Sequence, residues 1–296
     1  MMDQKLGGPL ISTSWLAEHL RDSDLRIFDC TVHILFDGSE GIATRAAHRE
    51  YEAQHIPGAA FVDMVADLSD RTPGVPYMMM PPADLFSRAL SAAGLGDEFQ
   101  VVIYSAGELM WATRLWWMLR ASGFTNAAVL DGGLQRWKVE GRPLAAGVES
   151  YPPAAFTARP DAACWADKEM VMAEIGSSTV CTVNALSRDD HLGTGELSPW
   201  VRAAYGRQGR IPGSLNVPYG SLTTEEGLFA PVEQLRQAFA AAGVLDHERI
   251  ILYCGAGLGS TVDALALTLI GCDNVAIYDG SLNEWGWDDS LPMETG

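Results

Sequence analysis

Positive charge is scarce in this chain. Its 296 residues include 20 lysines and arginines against 38 aspartates and glutamates, a formal net charge of −18. A surface that grips phosphates needs concentrated Lys and Arg, so this balance argues against nucleic-acid binding. It argues equally against polybasic attachment to a membrane. Cysteine is also sparse and scattered. The five (Cys30, Cys164, Cys181, Cys254 and Cys272) are an odd number without a C-x-x-C pair. That excludes a disulfide framework or a structural zinc site as the organising principle, and implies a reducing cytoplasm. No apolar run approaches the ~18 residues of a membrane span. The opening stretch has no basic segment followed by a long apolar one, so no secretory signal is expected. What remains is a hydrophobic content of 48% with 20% charged residues, the composition of a folded globular protein. At ~150 residues per domain, two domains are expected.

The chain repeats itself. Ile56-Pro57-Gly58 recurs as Ile211-Pro212-Gly213, an offset of 155; Tyr104 recurs as Tyr253 at 149; Asp131 and Trp137 recur as Asp279 and Trp285 at 148. Offsets that drift by a few residues indicate duplication with loop insertions. The expected organisation is a first domain over 1–146, a linker over 147–163 carrying Pro152, Pro153 and Pro160, and a second domain over 164–296. Val101–Tyr104 and Ile250–Tyr253 are apolar at every position, as strands covered on both faces are. Amphipathic stretches flank them, at 83–93 and 232–242 before, and at 111–122 and 261–270 after. This alternation predicts an α/β protein, each domain a mainly parallel sheet with helices on both faces.

The copies differ in chemistry at one place. Active sites of open parallel sheets lie at the carboxyl ends of strands, and there the first copy has Ser105 where the second has Cys254. Cys254 is followed by Gly255, Ala256, Gly257, Leu258, Gly259 and Ser260, then by a helix start. Alternate glycines allow a tight curl with positive φ where needed. Such a curl turns backbone N–H groups inward as an anion nest at the positive end of the helix. A thiol there ionises below the ~8.5 of a free cysteine, although Asp263, in the first turn, opposes this if it faces the sulfur. A cysteine ending a strand is ordinarily an inert small hydrophobe, and Cys30 and Cys181 fit that description. Cys254 stands apart through its glycine loop and helix start.

With these features together, the chain resembles the tandem rhodanese family of thiosulfate and 3-mercaptopyruvate sulfurtransferases. The resemblance rests on HIPGA and RIPGS, on the AVLDGG and AIYDGS ends, and on strand–Cys–glycine loop–helix, and it runs from about Ser14 to Trp285. It implies a degenerate first domain and a catalytic second one. It also implies sulfane transfer through a Cys254 persulfide, from a small anionic donor to a thiol, cyanide or thioredoxin-like acceptor, with no cofactor and no metal. The alternative function is a non-enzymatic persulfide carrier or partner-binding module. The sequence departs from the family at several positions. The loop carries no basic residue. Ala256 stands where the mercaptopyruvate branch has serine, and Met78 where it has histidine, leaving Asp63 alone of the Ser-His-Asp relay. Asp190 replaces an arginine.

An anionic donor needs cations. Arg207 and Arg210, with Arg188 and His191 upstream, form the expected substrate clamp, the arginine fork being suited to oxyanions. Arg114 is expected to tie its helix to a loop, with the interdomain cleft within its reach as the alternative. His55 is expected in a structural hydrogen bond, and Trp137 and Trp285 in the core. Trp111, Trp116 and Trp117 are expected in core or interface packing. The related-fold phosphatases and arsenate reductases use C-x5-R, but Ser260 occupies the arginine position, which sets that chemistry aside.

Overall fold

The computed structural model describes residues 6–36, 42–194 and 204–296. Its twelve strands are β1 Leu10–Ile11, β2 Leu25–Asp29, β3 Val32–Phe36, β4 Ile42–Ala46, β5 Ala59–Phe61, β6 Gln100–Tyr104, β7 Ala127–Leu130, β8 Trp165–Ala166, β9 Val180–Asn184, β10 Leu215–Asn216, β11 Arg249–Tyr253 and β12 Val275–Tyr278. They form two five-stranded sheets of order β1-β7-β6-β2-β5 and β10-β9-β11-β12-β8. Every pairing in both sheets is parallel. Substituting each strand by its repeat partner converts one order into the other, so the duplication read from the offsets is a duplication of topology. The β3–β4 hairpin of the first copy is antiparallel and has no counterpart among the described residues of the second.

The helices fall where the apolar periodicity put them: Ala83–Ala92, Met110–Ala121, Val232–Ala241 and Ser260–Leu269. β6 and β11 are buried at every position but their first, as strands with helices on both faces must be. Segment 147–161 has no regular structure but is strapped to the first domain. The Tyr151 hydroxyl donates to the Gly58 carbonyl at 2.5 Å and accepts from Ile27 N–H at 3.0 Å. Arg159 N–H donates to Ser122 O at 2.8 Å, and Phe156 is buried.

One apolar core runs across both domains, joining Trp111, Trp116, Trp117 and Leu119 of the first to Val262, Leu265 and Leu267 of the second. The helices Met110–Ala121 and Ser260–Leu269 pack together there. The first is buried at every residue except Arg120, a pattern that a surface helix does not show. The contacts are reciprocal. Thr113 Oγ1 meets Thr261 Oγ1, its repeat counterpart, at 2.7 Å. Asp279 accepts from Met80 N–H at 2.7 Å, and its counterpart Asp131 accepts from Phe229 N–H at 2.9 Å. The two copies are therefore related by a pseudo-two-fold axis between these helices.

Candidate active site

Cys254 follows β11 directly and is 2% exposed. The loop after it turns into the helix Ser260–Leu269 without a side-chain cap. Two loop N–H groups are spent: those of Cys254 and Gly257 donate to Ser281 Oγ at 3.2 and 3.1 Å. The N–H groups of Gly255, Ala256, Leu258, Gly259 and Ser260 have no hydrogen-bond acceptor among the described residues. The arrangement gathers backbone donors at the positive end of a helix, beside a thiol, as an anion nest does.

The glycines of this loop serve different purposes. Gly257 has φ +67° and is the one that needs left-handed backbone. A Cβ on it would also lie 2.7 Å from Asp279 Oδ1. Gly255 and Gly259 have ordinary φ; they are small because tyrosines press on them. A Cβ on Gly255 would overlap the Tyr205 hydroxyl, and one on Gly259 would sit 2.8 Å from the Tyr219 ring. The curl expected from three flexible glycines is thus produced by one, the other two being clearances. Burial, followed by the Cys254 charge, pushes the Tyr205 phenol far up. Burial, Glu108 and then Cys254 push Tyr219 up to about 12. Both phenols therefore stay protonated near neutral pH.

The first domain reaches into this site. Arg114, 1% exposed, donates through Nη1 to Gly257 O at 3.1 Å and to Asp279 Oδ1 at 2.5 Å, and through Nη2 to Met78 O at 2.7 Å. It therefore does tie its helix to a loop, but to the cysteine loop of the other domain. Its guanidinium carbon also lies 5.2 Å from the Trp165 ring centre, a cation–π distance. Met78, standing where a relay histidine was expected, contributes its carbonyl from a left-handed backbone, φ 65°. Asp63 is committed to its own turn: Oδ1 accepts from Val65 and Ala66 N–H, and Oδ2 lies 3.1 Å from His48 Nε2.

Two of the expected clamp residues, Arg207 and Arg210, are engaged with other parts of the second domain. Arg207 donates to the carbonyls of Gly286, Leu291, Trp285 and Asp288, so it fastens the chain after the last helix. Arg210 pairs with Glu294 at 3.0 Å and donates to Gly296 O at 2.9 Å. The first copy explains the latter pair. His55 occupies the same repeat position and faces Glu149 at 3.4 Å, and Gly58 N–H and Gly213 N–H bind those two glutamates alike. Arg210 is the structural counterpart of His55, whose Nδ1 also bonds Tyr51 O at 2.8 Å. His191 is buried and its pKa is pushed down to about 4 by burial and by Arg210 and Arg188, so it supplies no positive charge near neutral pH. Arg188 is exposed at the start of the helix Arg188–Leu192. Asp190, in the position of the missing arginine, lies in that helix's first turn: its N–H donates to the capping Ser187 Oγ at 3.1 Å, and its Oδ2 accepts from the same hydroxyl at 2.6 Å.

Ser281 escaped the sequence reading. Its backbone is left-handed, φ 50°, at a cost of about 1–2 kcal/mol for a residue with a Cβ. Its hydroxyl accepts from the two loop N–H groups and donates to Tyr278 O at 2.8 Å. The signal was present in the repeat: AVLDGG ends in Gly133 where AIYDGS ends in Ser281. Asp263 is a second residue of interest. It is fully buried, both oxygens lack a partner among the described residues, and burial pushes its pKa well up.

A family model described as the rhodanese-like domain matches residues 12–140 and 200–286. The 3-mercaptopyruvate sulfurtransferase of Escherichia coli strain K12 is 32% identical over 96% of this chain and 97% of its own length. The thiosulfate sulfurtransferase of Rattus norvegicus is 34% identical over 96% and 94%. The crystal structure of the Escherichia coli 3-mercaptopyruvate enzyme superposes with a TM-score of 0.78, covering 93% of this chain and 98% of that one.

Proposed function

The chain belongs to the rhodanese family, and from that premise we propose that it is a sulfurtransferase working through a persulfide on Cys254. The observation that carries this reading is a buried thiol at the carboxyl end of β11, followed by five unspent backbone N–H groups at a helix start. With thiosulfate, the Cys254 thiolate attacks the outer sulfur, the S–S bond breaks, and sulfite leaves with the electron pair. With 3-mercaptopyruvate, the C–S bond breaks and the carbon takes a proton to give pyruvate. A thiol or cyanide then attacks the outer sulfur of the persulfide and restores the thiolate. Sulfur serves both as nucleophile and as leaving group, which a serine at this position cannot do. The nest stabilises thiolate and persulfide charge without reorganising.

Both donors are anions, in a chain of net charge −18, and Arg207 and Arg210 are occupied elsewhere. Backbone N–H groups therefore carry the larger share of donor recognition, with Arg188 as the exposed cation assigned to help. Among the described residues no helix is long and apolar enough to cross a membrane. The test is intact mass after incubation with each donor: one added sulfur on the wild type, none on Cys254→Ser. No gain with either donor overturns the reading. A gain that no thiol or cyanide removes leaves a carrier in place of an enzyme.

A further inference from the structure

We propose that Ser281 is a positioning residue, a wedge that holds the Cys254 loop open and keeps its unspent N–H groups facing the sulfur. In the first copy the equivalent residue is Gly133, with nearly the same backbone, φ +52°. A Cβ on Gly133 would collide with the Ser105 carbonyl, so in that copy the loop has closed onto the glycine. In the second copy the Ser281 Cβ fills that space. Its hydroxyl, 0% exposed, gathers Cys254 N–H at 3.2 Å and Gly257 N–H at 3.1 Å, and is anchored to Tyr278 O at 2.8 Å. These contacts fix both ends of the turn that carries the thiol. Glycine would satisfy the same backbone without strain, as the first copy shows. The serine is kept at a conformation that costs stability, and what it adds is the wedge and the two hydrogen bonds.

The experiment is Ser281→Gly, whose fold is precedented within the same chain. Two readouts are taken: the pH midpoint of Cys254 alkylation by iodoacetamide, and steady-state sulfur transfer from thiosulfate to cyanide. The groups bearing on the midpoint are Tyr205 and Tyr219 against the loop, Asp190 and Glu108 acting on those tyrosines, the Arg114–Asp279 pair against Gly257, and Asp263 in the helix behind; none is altered by the variant. Losing donors aimed at the thiolate raises the midpoint, by about one pH unit. The expected kcat falls about tenfold with KM within a factor of two, while the melting temperature holds or rises. Ser281→Ala, which keeps the wedge but not the hydroxyl, falls between the two on the midpoint. An unchanged midpoint in Ser281→Gly overturns the proposal, and so does a fall in activity that tracks a fall in melting temperature. The alkylation arm does not depend on the sulfurtransferase reading. If the wild type takes no sulfur but the midpoint still shifts, that reading fails and the wedge stands.

Discussion

The two domains share a strand order, a fold and a set of matched hydrogen bonds, yet one follows its central strand with Ser105 and the other with Cys254. Three further exchanges accompany that one. Gly133 becomes Ser281, Leu115 becomes Asp263, and Arg114 becomes Val262. The first two alter the second domain around its own loop. The third leaves the arginine in the first domain, from where it crosses to brace Gly257 and Asp279. The first domain therefore carries serine where the second carries cysteine, and lends an arginine to the loop that follows that cysteine.

Exchanging residues between the copies tests this division. Cys254→Ser, which installs the first copy's residue, abolishes sulfur loading, and adding Ser105→Cys does not restore it. A labelled sulfur on the new thiol at position 105 of that double variant would show the first loop to be competent after all. Arg114→Val, the second copy's residue, leaves Asp279 buried without its cation, at a cost of about 3–5 kcal/mol. Thermal unfolding reads that loss, and kcat falls with it because Gly257 is no longer held. An Arg114→Val protein with wild-type melting and turnover would remove the brace from the comparison.

Asp263→Leu installs the apolar residue of the first copy and has the opposite sign. The folded pKa of this buried acid is raised, so the wild type is most stable when the group is protonated. It loses stability as pH climbs above the unfolded value of about 4. The variant lacks that loss, so its advantage grows with pH to about 1–3 kcal/mol near neutrality. Parallel stability-against-pH curves for the two proteins would contradict this. The smallest expected effect is that of Arg210→Ala, about 1 kcal/mol from the lost Glu294 pair and carbonyl bonds, with the donor KM within twofold of wild type. A large rise in KM with unchanged stability would return Arg210 to the substrate.

Much of this was legible in the sequence, for identifiable reasons. Strands such as Val101–Tyr104 and helices such as 261–270 announced themselves because full burial and 3.6-residue periodicity are written locally. Cys254 could be singled out as a candidate because its glycine loop and helix start are contiguous with it in sequence. The engagement of Arg207 and Arg210 was not legible, because proximity in sequence to Ile211-Pro212-Gly213 says nothing about where a long side chain ends. Arg207 spends its donors on carbonyls some eighty residues away, and only pairing His55–Glu149 with Arg210–Glu294 reveals the latter as a repeated structural device. Gly255 and Gly259 misled for a related reason: a glycine demanded by a neighbour's bulk looks, in sequence, like one demanded by its own backbone. The neighbours, Tyr205 and Tyr219, arrive from a helical residue before β10 and from the 3-10 turn just after it.

The Thr113–Thr261 contact has a consequence of its own. Where a residue meets its own counterpart across an axis, the arrangement is that of an isologous homodimer contained in a single polypeptide. In a true homodimer every substitution appears on both sides at once, so a site cannot gain an arginine brace without duplicating it onto its twin. Joining the protomers end to end lifts that constraint. Arginine can stand at 114 while valine stands at 262, and serine at 281 while glycine stands at 133. The covalent tether thus converts a symmetric assembly into one whose halves are free to diverge position by position.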